Sequence, residues 1–184
     1  MLVGFKSKNH PQQRTDRNVD DRALMPDDFS IFNQRFRFSI DLAASSANAK
    51  LPRYYTEEDN SLTKSWKAER CYCNPPYSNL LPWIVKAWAE VEAEIIVLLI
   101  PSNRTEQAFW QDLVEPFRDR NGSPLRVEFL RGRYRFTKPG ETSVRPNNRP
   151  PFGNCLLIFE HTPFTFRLPS DEQSTLFGQG AETP

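Results

Sequence analysis

Four consecutive residues, Asn74-Pro75-Pro76-Tyr77, combine groups that could hold a planar amine. The Asn74 amide oxygen and the Pro75 carbonyl are hydrogen-bond acceptors, and both prolines restrict φ without adding an N–H donor. Tyr77 adds a flat face for stacking. An aromatic or amide nitrogen delocalises its lone pair, so two fixed acceptors on its hydrogens would make it a better nucleophile. Preorganised polar groups of this kind are worth about 3–4 kcal/mol each.

The position of this NPPY motif (residues 74–77) favours a binding site over a simple turn. The pattern predicts a short strand over residues 70–73 and an amphipathic helix over residues 80–94. Open α/β sheets bind their ligands beyond the carboxyl ends of their strands, which is where the motif lies. The alternative is a proline-rich turn that only ends the strand.

The remaining elements predict an α/β fold. A helix is expected to begin at Pro26, and alternation predicts a strand over residues 36–41 that ends at Asp41. Further strands are predicted over residues 95–100, 126–130 and 155–159, and a helix over residues 106–117. Alternating strands and helices indicate a sheet with parallel crossovers, and the last two strands are expected to form an antiparallel hairpin at one edge.

Composition excludes several classes of protein. The chain has 184 residues and a formal net charge of +1, so it is not a globally basic protein. Its longest apolar run, residues 95–100, is far shorter than the roughly 20 residues of a membrane-spanning helix, and we expect no membrane contact. Cys71, Cys73 and Cys155 have neither a disulfide framework nor zinc-site spacing. We expect them to be buried, and we expect no metal and a cytoplasmic, reducing compartment.

Three segments are expected along the chain. Residues 1–24 are polar and are predicted to form a flexible arm. Residues 25–168 form the predicted domain, and residues 169–184 a flexible tail.

A basic segment, residues 131–149, is the candidate nucleic-acid contact. It holds six basic residues against one acid in a chain whose net charge is +1. Charge of this kind binds phosphates, and Arg104, which follows the 95–100 strand, is a further candidate. A loop that only aids solubility is the alternative. The six are Arg131, Arg133, Arg135, Lys138, Arg145 and Arg149.

Six stretches in order give the sequence a family resemblance. From roughly residue 26 to residue 159 it resembles the phage-type DNA N-6-adenine methyltransferases, the Dam family. The matching stretches are FSIDLAASSANAK (38–50), YTEEDNSL (55–62, followed by Trp66), NPPYS (74–78), WIVKA (83–87), FLRGR (129–133) and CLLIF (155–159).

The resemblance implies a chemistry and a fold. It implies S-adenosylmethionine as the methyl donor, adenine in double-stranded DNA as the acceptor, and no metal. The expected fold is a compact, truncated Rossmann-like methyltransferase sheet. Asn74 and the Pro75 carbonyl would hold the adenine N6, Pro76 would stiffen the motif, and Tyr77 would stack on the flipped base. A phage or prophage enzyme that protects DNA from restriction is the implied role.

The donor site is expected around two acidic segments. Asp41 is followed by small residues, including Ala43 and Ser45, that let a ligand approach the backbone. It would suit the methionine ammonium or a ribose hydroxyl, and a helix N-cap is the alternative. By resemblance Asp59 would hold the donor's adenine, and Glu57 is a candidate for the ribose. The alternative for Asp59 is a solvated charge.

Two further expectations follow from the spacing and the motif. Only 33 positions separate Asp41 from Asn74, and each crossover takes at least about 10–12 residues. At least one strand–helix unit common in methyltransferases should therefore be missing or miniature. The motif is also compatible with methylation of an RNA adenine or a protein glutamine, and the basic loop with a non-catalytic DNA-binding protein. The sequence leaves the oligomeric state open.

Overall fold

A mixed five-stranded sheet with helices packed on it confirms the predicted α/β class. The computed structural model describes residues 22–137 and 150–161. Its elements in chain order are β1 (Ala23–Leu24), α1 (Pro26–Phe36), β2 (Ile40–Asp41), a 3-10 helix (Ser61–Thr63), β3 (Arg70–Cys73), α2 (Leu81–Ala89), β4 (Ile95–Pro101), α3 (Ala108–Leu113), β5 (Leu125–Phe129), β6 (Phe136–Thr137) and β7 (Asn154–Phe159).

The strand order of the large sheet is β2-β3-β4-β7-β5. The strands β2, β3 and β4 pair in parallel, whereas β7 runs antiparallel to both β4 and β5. The predicted antiparallel pairing of the last two long strands is therefore confirmed. It is not a tight hairpin, because β6 lies between β5 and β7 in the chain and pairs with β1 in a separate two-stranded sheet.

Both faces of the central strand are buried, which explains its continuous apolar sequence. Along β4, Ile95, Val97 and Leu99 pack in one cluster with the phenylalanines of α1. The alternating Ile96, Leu98 and Ile100 pack in the other cluster, which contains the buried side chains of α2 and α3. Successive side chains of a strand point to opposite faces, so one short strand supports both layers.

The helix α1 follows the local signals for a start and a stop. Pro26 occupies its first turn together with two aspartates, which favour the positive end of the helix dipole. Phe29, Phe32 and Phe36 are buried on one side, at helical spacing. Arg37 ends the helix in the left-handed region with φ of 51°, and its N–H donates to the Asn33 carbonyl at 2.8 Å.

Four predicted boundaries are corrected. Ala23 and Leu24, assigned to the arm, are buried in β1, while residues 1–21 and 162–184 lie outside the described residues. The strand predicted over residues 36–41 is reduced to Ile40–Asp41, because Phe36 completes the buried stripe of α1. The helices α2 and α3 are shorter than residues 80–94 and 106–117.

The connection between β2 and β3 is as reduced as the spacing predicted. Residues 42–69 contain a three-residue 3-10 helix and one isolated parallel bridge, between Asp41 and Tyr54. Two backbone bonds flank this bridge, one from Asp41 N–H to the Arg53 carbonyl at 3.0 Å and one from Tyr55 N–H to the Asp41 carbonyl at 2.9 Å. A full crossover is thus replaced by a short extended segment beside β2.

The packing of α1 on the sheet gives a testable difference between two of its residues. Phe29 is 6% exposed and Ile31 is 59% exposed. Phe29→Ala is expected to lower the free energy of unfolding by about 3–5 kcal/mol because it leaves a cavity in the core. The matched variant Ile31→Ala should stay within about 0.5 kcal/mol of the parent. Urea unfolding followed by circular dichroism measures both, and equal losses would contradict this placement of α1.

Candidate functional site

A cavity of about 1180 Å³ lies at the carboxyl ends of the first parallel strands. Asp41, the last residue of β2, and Asn74, the residue after β3, both line it. Parallel pairing brings these two strand ends to one edge, although they are far apart in the chain. This volume is somewhat larger than the roughly 300–1,000 Å³ that is usual for pockets that bind cofactors and small molecules.

Asn74 presents an acceptor at this cavity. Its Nδ2 donates to the carbonyl oxygen of Arg22 at 2.7 Å, which fixes the amide plane. Its Oδ1 is buried, with no hydrogen-bond partner among the described residues. A buried acceptor without a donor is costly unless a ligand supplies one. The site can therefore accept a hydrogen bond from an amine.

The rest of the motif divides between the cavity and a neighbouring aromatic group. Pro76 lines the cavity, whereas Pro75 and Tyr77 do not. Pro75 is buried, and the ring of Tyr77 makes edge contacts with Phe136 and Phe152 at centroid distances of 6.3 and 6.1 Å. Of the four motif residues, Asn74 and Pro76 thus line the cavity, and Tyr77 lies in a neighbouring aromatic group.

Asp41 is a buried carboxylate held by backbone donors. Oδ2 accepts from the Lys50 N–H at 3.1 Å, and Oδ1 accepts from the Ala43 N–H at 3.4 Å. Burial raises the pKa of the Asp41 carboxyl to about 6, and the two N–H donors and the Lys50 charge oppose this rise. Burial also lowers the pKa of Lys50. Ala43 and Ser45 line the cavity as predicted, and Asp41 does not cap a regular helix.

The second acidic segment is only partly at the cavity. Glu57 and Glu58 line it, but Asp59 does not. The Asp59 carboxylate accepts hydrogen bonds from the N–H and hydroxyl of Thr56 at 2.9 and 3.0 Å. These bonds lower the pKa of Asp59 and close a local turn. The structure therefore places Asp59 in support of the loop that carries Glu57.

Polar atoms without partners are concentrated at the cavity. Five buried side-chain atoms lack hydrogen bonds within the described residues, and four belong to residues that line this cavity. Such atoms are rare in folded proteins, so their grouping indicates a polar ligand. The four are Arg22 Nε, Ser61 Oγ, Tyr72 OH and Asn74 Oδ1.

Several of these lining residues were missed by the sequence analysis. Arg22 lies in the predicted arm and Tyr72 in a predicted strand, and no site role was predicted for Ser61 or Lys50. Trp83, for which no site role was predicted either, also lines the cavity. Their side chains meet through long-range folding, which their spacing does not encode. Trp83 had one local signal, because it lies in the first turn of the helix after the motif.

The candidate DNA-contacting residues are partly free and partly paired. Arg131 and Arg133 are exposed, and Arg104 is half-buried. The Arg135 Nε lies 3.8 Å from Asp28 Oδ2 at the start of α1, so its charge is partly compensated. Lys138, Arg145 and Arg149 lie outside the described residues.

Contacts between loops bring Arg133 to the same side of the molecule as the motif. Its guanidinium donates to the Pro150 carbonyl at 3.5 Å, and Phe152, two residues further on, touches the Tyr77 ring. The loop between β5 and β6 turns at Gly132, whose φ of +81° favours glycine. A phosphate backbone bound by Arg131 and Arg133 would therefore lie beside the motif.

Other chemistries have little support in residues 22–137 and 150–161. No group of three metal-ligating side chains occurs there, and no helix is long and apolar enough to cross a bilayer. The three cysteines are free and buried, as predicted, and burial raises the pKa of Cys155 to about 12. A thiol in that state is inert.

Comparisons with known proteins point to one family. Residues 12–169 match the family model described as DNA N-6-adenine-methyltransferase (Dam). A stretch of 66 residues is 35% identical to a protein of Haemophilus phage HP1 (strain HP1c1) named DNA N-6-adenine-methyltransferase. That stretch covers 35% of this chain and 38% of the phage protein. No solved structure matches the chain.

The raised pKa of Asp41 predicts that this residue destabilises the fold at neutral pH. The folded state holds the proton up to about pH 6, against an ordinary value of 3.8, so stability is lost as pH rises through this window. Relative to the parent protein, Asp41→Asn should therefore become more stable by up to about 3 kcal/mol as pH rises from about 4 to 7.5. This change is added to a pH-independent loss, because the amide Nδ2 cannot accept from the Ala43 or Lys50 N–H. Urea unfolding at both pH values measures the difference.

Asp59→Asn is the control for this prediction. The pKa of Asp59 is lowered rather than raised, so removing its charge should give no gain at pH 7.5. A pH-independent difference between Asp41→Asn and the parent protein would contradict the assignment.

Proposed function

Because the chain belongs to the DNA N-6-adenine-methyltransferase family, we propose that it transfers a methyl group from S-adenosylmethionine to the N6 amine of adenine in double-stranded DNA. The observation that carries this proposal is the Asn74 Oδ1 acceptor, buried without a partner among the described residues, on a cavity that also contains a buried carboxylate. A methyl acceptor and a methyl donor can thus meet between two strand ends. The parallel strands that form this edge support a truncated Rossmann-like sheet.

The cavity has the size and the polarity to hold S-adenosylmethionine. It provides about 1180 Å³, and three polar groups besides Asn74, on Arg22, Ser61 and Tyr72, have no partner within residues 22–137 and 150–161. Asp41 is placed to bind an ammonium or a ribose hydroxyl, and either contact would favour its charged form. The small side chains of Ala43 and Ser45 let a ligand approach the backbone at the cavity wall, and Glu57 supplies a second carboxylate. We assign the donor to these residues, with Asp59 holding the Glu57 loop in place.

The NPPY motif is proposed to prepare the acceptor nitrogen. When bound, the donor supplies an electrophilic methyl group on a sulfonium. Asn74 Oδ1 and the Pro75 carbonyl would accept hydrogen bonds from the two N6–H groups, which raises electron density on the nitrogen. Pro76 fixes the chain between them, and the Tyr77 ring stacks on the extruded base. The N6 lone pair would form the new bond to the methyl carbon as the methyl–sulfur bond breaks. The electron pair of that bond would return to sulfur, which leaves as a neutral thioether, and one N6 proton would then pass to solvent.

Arg104, Arg131 and Arg133 are proposed to bind the phosphates beside the flipped base. Arg135 contributes less, because it faces Asp28. Lys138, Arg145 and Arg149 stay proposals from the sequence. We further infer a phage or prophage enzyme that works in the host cytosol and protects DNA from restriction.

The reaction is tested by methyl transfer from tritiated S-adenosylmethionine to unmethylated duplex DNA, followed by nucleoside mass spectrometry. Wild type should yield N6-methyladenine. Asn74→Ala should lower kcat by about a hundredfold or more, because it removes an acceptor that acts on the reacting nitrogen. Asn79→Ala is the matched control. This exposed asparagine follows the motif outside the cavity lining, and its loss should leave activity near wild type.

The other outcomes of this assay separate the alternatives. Donor binding without any methylated base in DNA would overturn the DNA substrate and favour RNA or a protein amide. No donor binding would leave a non-catalytic DNA-binding protein. Equal activity of wild type and Asn74→Ala would overturn the role of Asn74.

The salt dependence of DNA binding tests the basic residues. Exposed Arg133 should release about one counterion, so Arg133→Ala should reduce the slope of log K against log salt by about one. Arg135→Ala should reduce it less, because Asp28 already compensates this charge. Fluorescence anisotropy of a labelled duplex at about 50–200 mM KCl measures both slopes. A larger change for Arg135 than for Arg133 would refute this ranking.

A further inference from the structure

Asn154 is a buried amide in an otherwise apolar strand. It is the first residue of β7 and is 1% exposed, and the five residues that follow it are buried and apolar. An amide in such a place costs free energy unless its polar atoms are bonded, and its Oδ1 has no partner in the described part of the chain. An aliphatic side chain would serve the core better. The presence of an asparagine here is therefore explained by a contact outside the apolar core.

The Asn154 side chain joins the sheet to the NPPY motif. Its Nδ2 donates to the Tyr77 hydroxyl oxygen at 3.1 Å and to the Ile100 carbonyl at 3.3 Å. The backbone of Asn154 is already paired with Pro101 at the end of β4. Register does not depend on the amide, so asparagine differs from an aliphatic residue here in two contacts, the one with the Ile100 carbonyl and the one with the Tyr77 hydroxyl. Only the contact with Tyr77 reaches the motif.

Among the described residues, the other contacts of Tyr77 are with its ring, which packs against the apolar cluster on the α2 and α3 side of the sheet and against two phenylalanines. Phe136 and Phe152 meet it at interplanar angles of 77° and 64°. Such edge contacts stabilise the ring by about 0.5–1.5 kcal/mol each, but they make no bond to the hydroxyl. The bond from Asn154 fixes the hydroxyl end of the ring, and the chain fixes the other end. The plane of the ring is thereby set relative to the cavity edge.

We propose that Asn154 is a positioning residue for methyl transfer, holding the Tyr77 hydroxyl so that the ring stacks on the flipped base. This inference rests on the proposed function. A tilted ring overlaps less with a base, so losing the bond weakens a step that involves DNA. Donor binding is not affected, because neither Asn154 nor Tyr77 lines the cavity.

A double-mutant cycle tests the contact from both sides. Asn154→Val removes the amide, and Tyr77→Phe removes the hydroxyl but keeps the ring. Each variant is expected to lower kcat/KM for duplex DNA about tenfold, and the double variant should be no worse than either single variant. The Kd for S-adenosylmethionine, measured by calorimetry, should stay within about twofold of wild type, since a neutral hydrogen bond outside the cavity is lost.

Ile158→Val is the control for disturbed packing. It lies in the same strand, is buried, and packs in the cluster on the α1 side of the sheet. It should lower Tm without changing kcat/KM, and Tm is recorded for every variant. A loss of activity caused only by instability would appear in this control as well.

Two results would overturn the positioning role. One is wild-type kcat/KM in Tyr77→Phe, which decides the question even if Asn154→Val fails to fold. The other is a further tenfold loss when Asn154→Val is added to Tyr77→Phe, since the two effects would then be independent. Inactive wild-type protein would instead overturn the proposed function, and this inference with it.

Discussion

Parallel pairing of β2, β3 and β4 is the constraint on which the candidate site depends. In this register Asp41 lies opposite Tyr72 and Cys73 lies opposite Leu98, so the strand ends line one edge. A slip of one residue in β3 would turn Tyr72 to the other face and move Asn74 away from the cavity. The neighbouring strand β4 pairs with β3 over four residues, from Arg70 opposite Ile95 to Cys73 opposite Leu98, and this pairing holds the register.

The sequence predicted the centre of the fold better than the ends of its elements. Continuous or alternating apolar residues located β4, β7 and the strand–motif–helix unit, because these segments are buried in the way that their patterns require. The ends of the helices were harder to predict from the sequence. Phe36 fits a strand alternation with Phe38 but completes the helical stripe of α1. Val114 and Phe117 continue an apolar spacing beyond α3, where the backbone has already turned.

The site was predicted where chemistry is concentrated in adjacent residues and missed where it is assembled over distance. The NPPY motif has a local signature, and Asp41 marks a strand end. Tyr72 and Ser61 are ordinary in sequence and become distinctive because a burial pattern leaves their hydroxyls unpaired. Asp59 shows the opposite case. Its acidic neighbourhood resembles a ligand site, but a local turn uses its carboxylate.

Stability and function are separated in this fold. The strands β4 and β7 are almost wholly apolar, and they stabilise the sheet without contributing to the cavity wall. Asp41, with a carboxyl pKa of about 6, and the unpartnered hydroxyl of Tyr72 oppose folding in the free protein. A ligand that bonds to both recovers that energy on binding. Asn154 is a similar case outside the cavity. Its buried amide is costly for the core, and the proposed reason for it is the hydrogen bond to the Tyr77 hydroxyl.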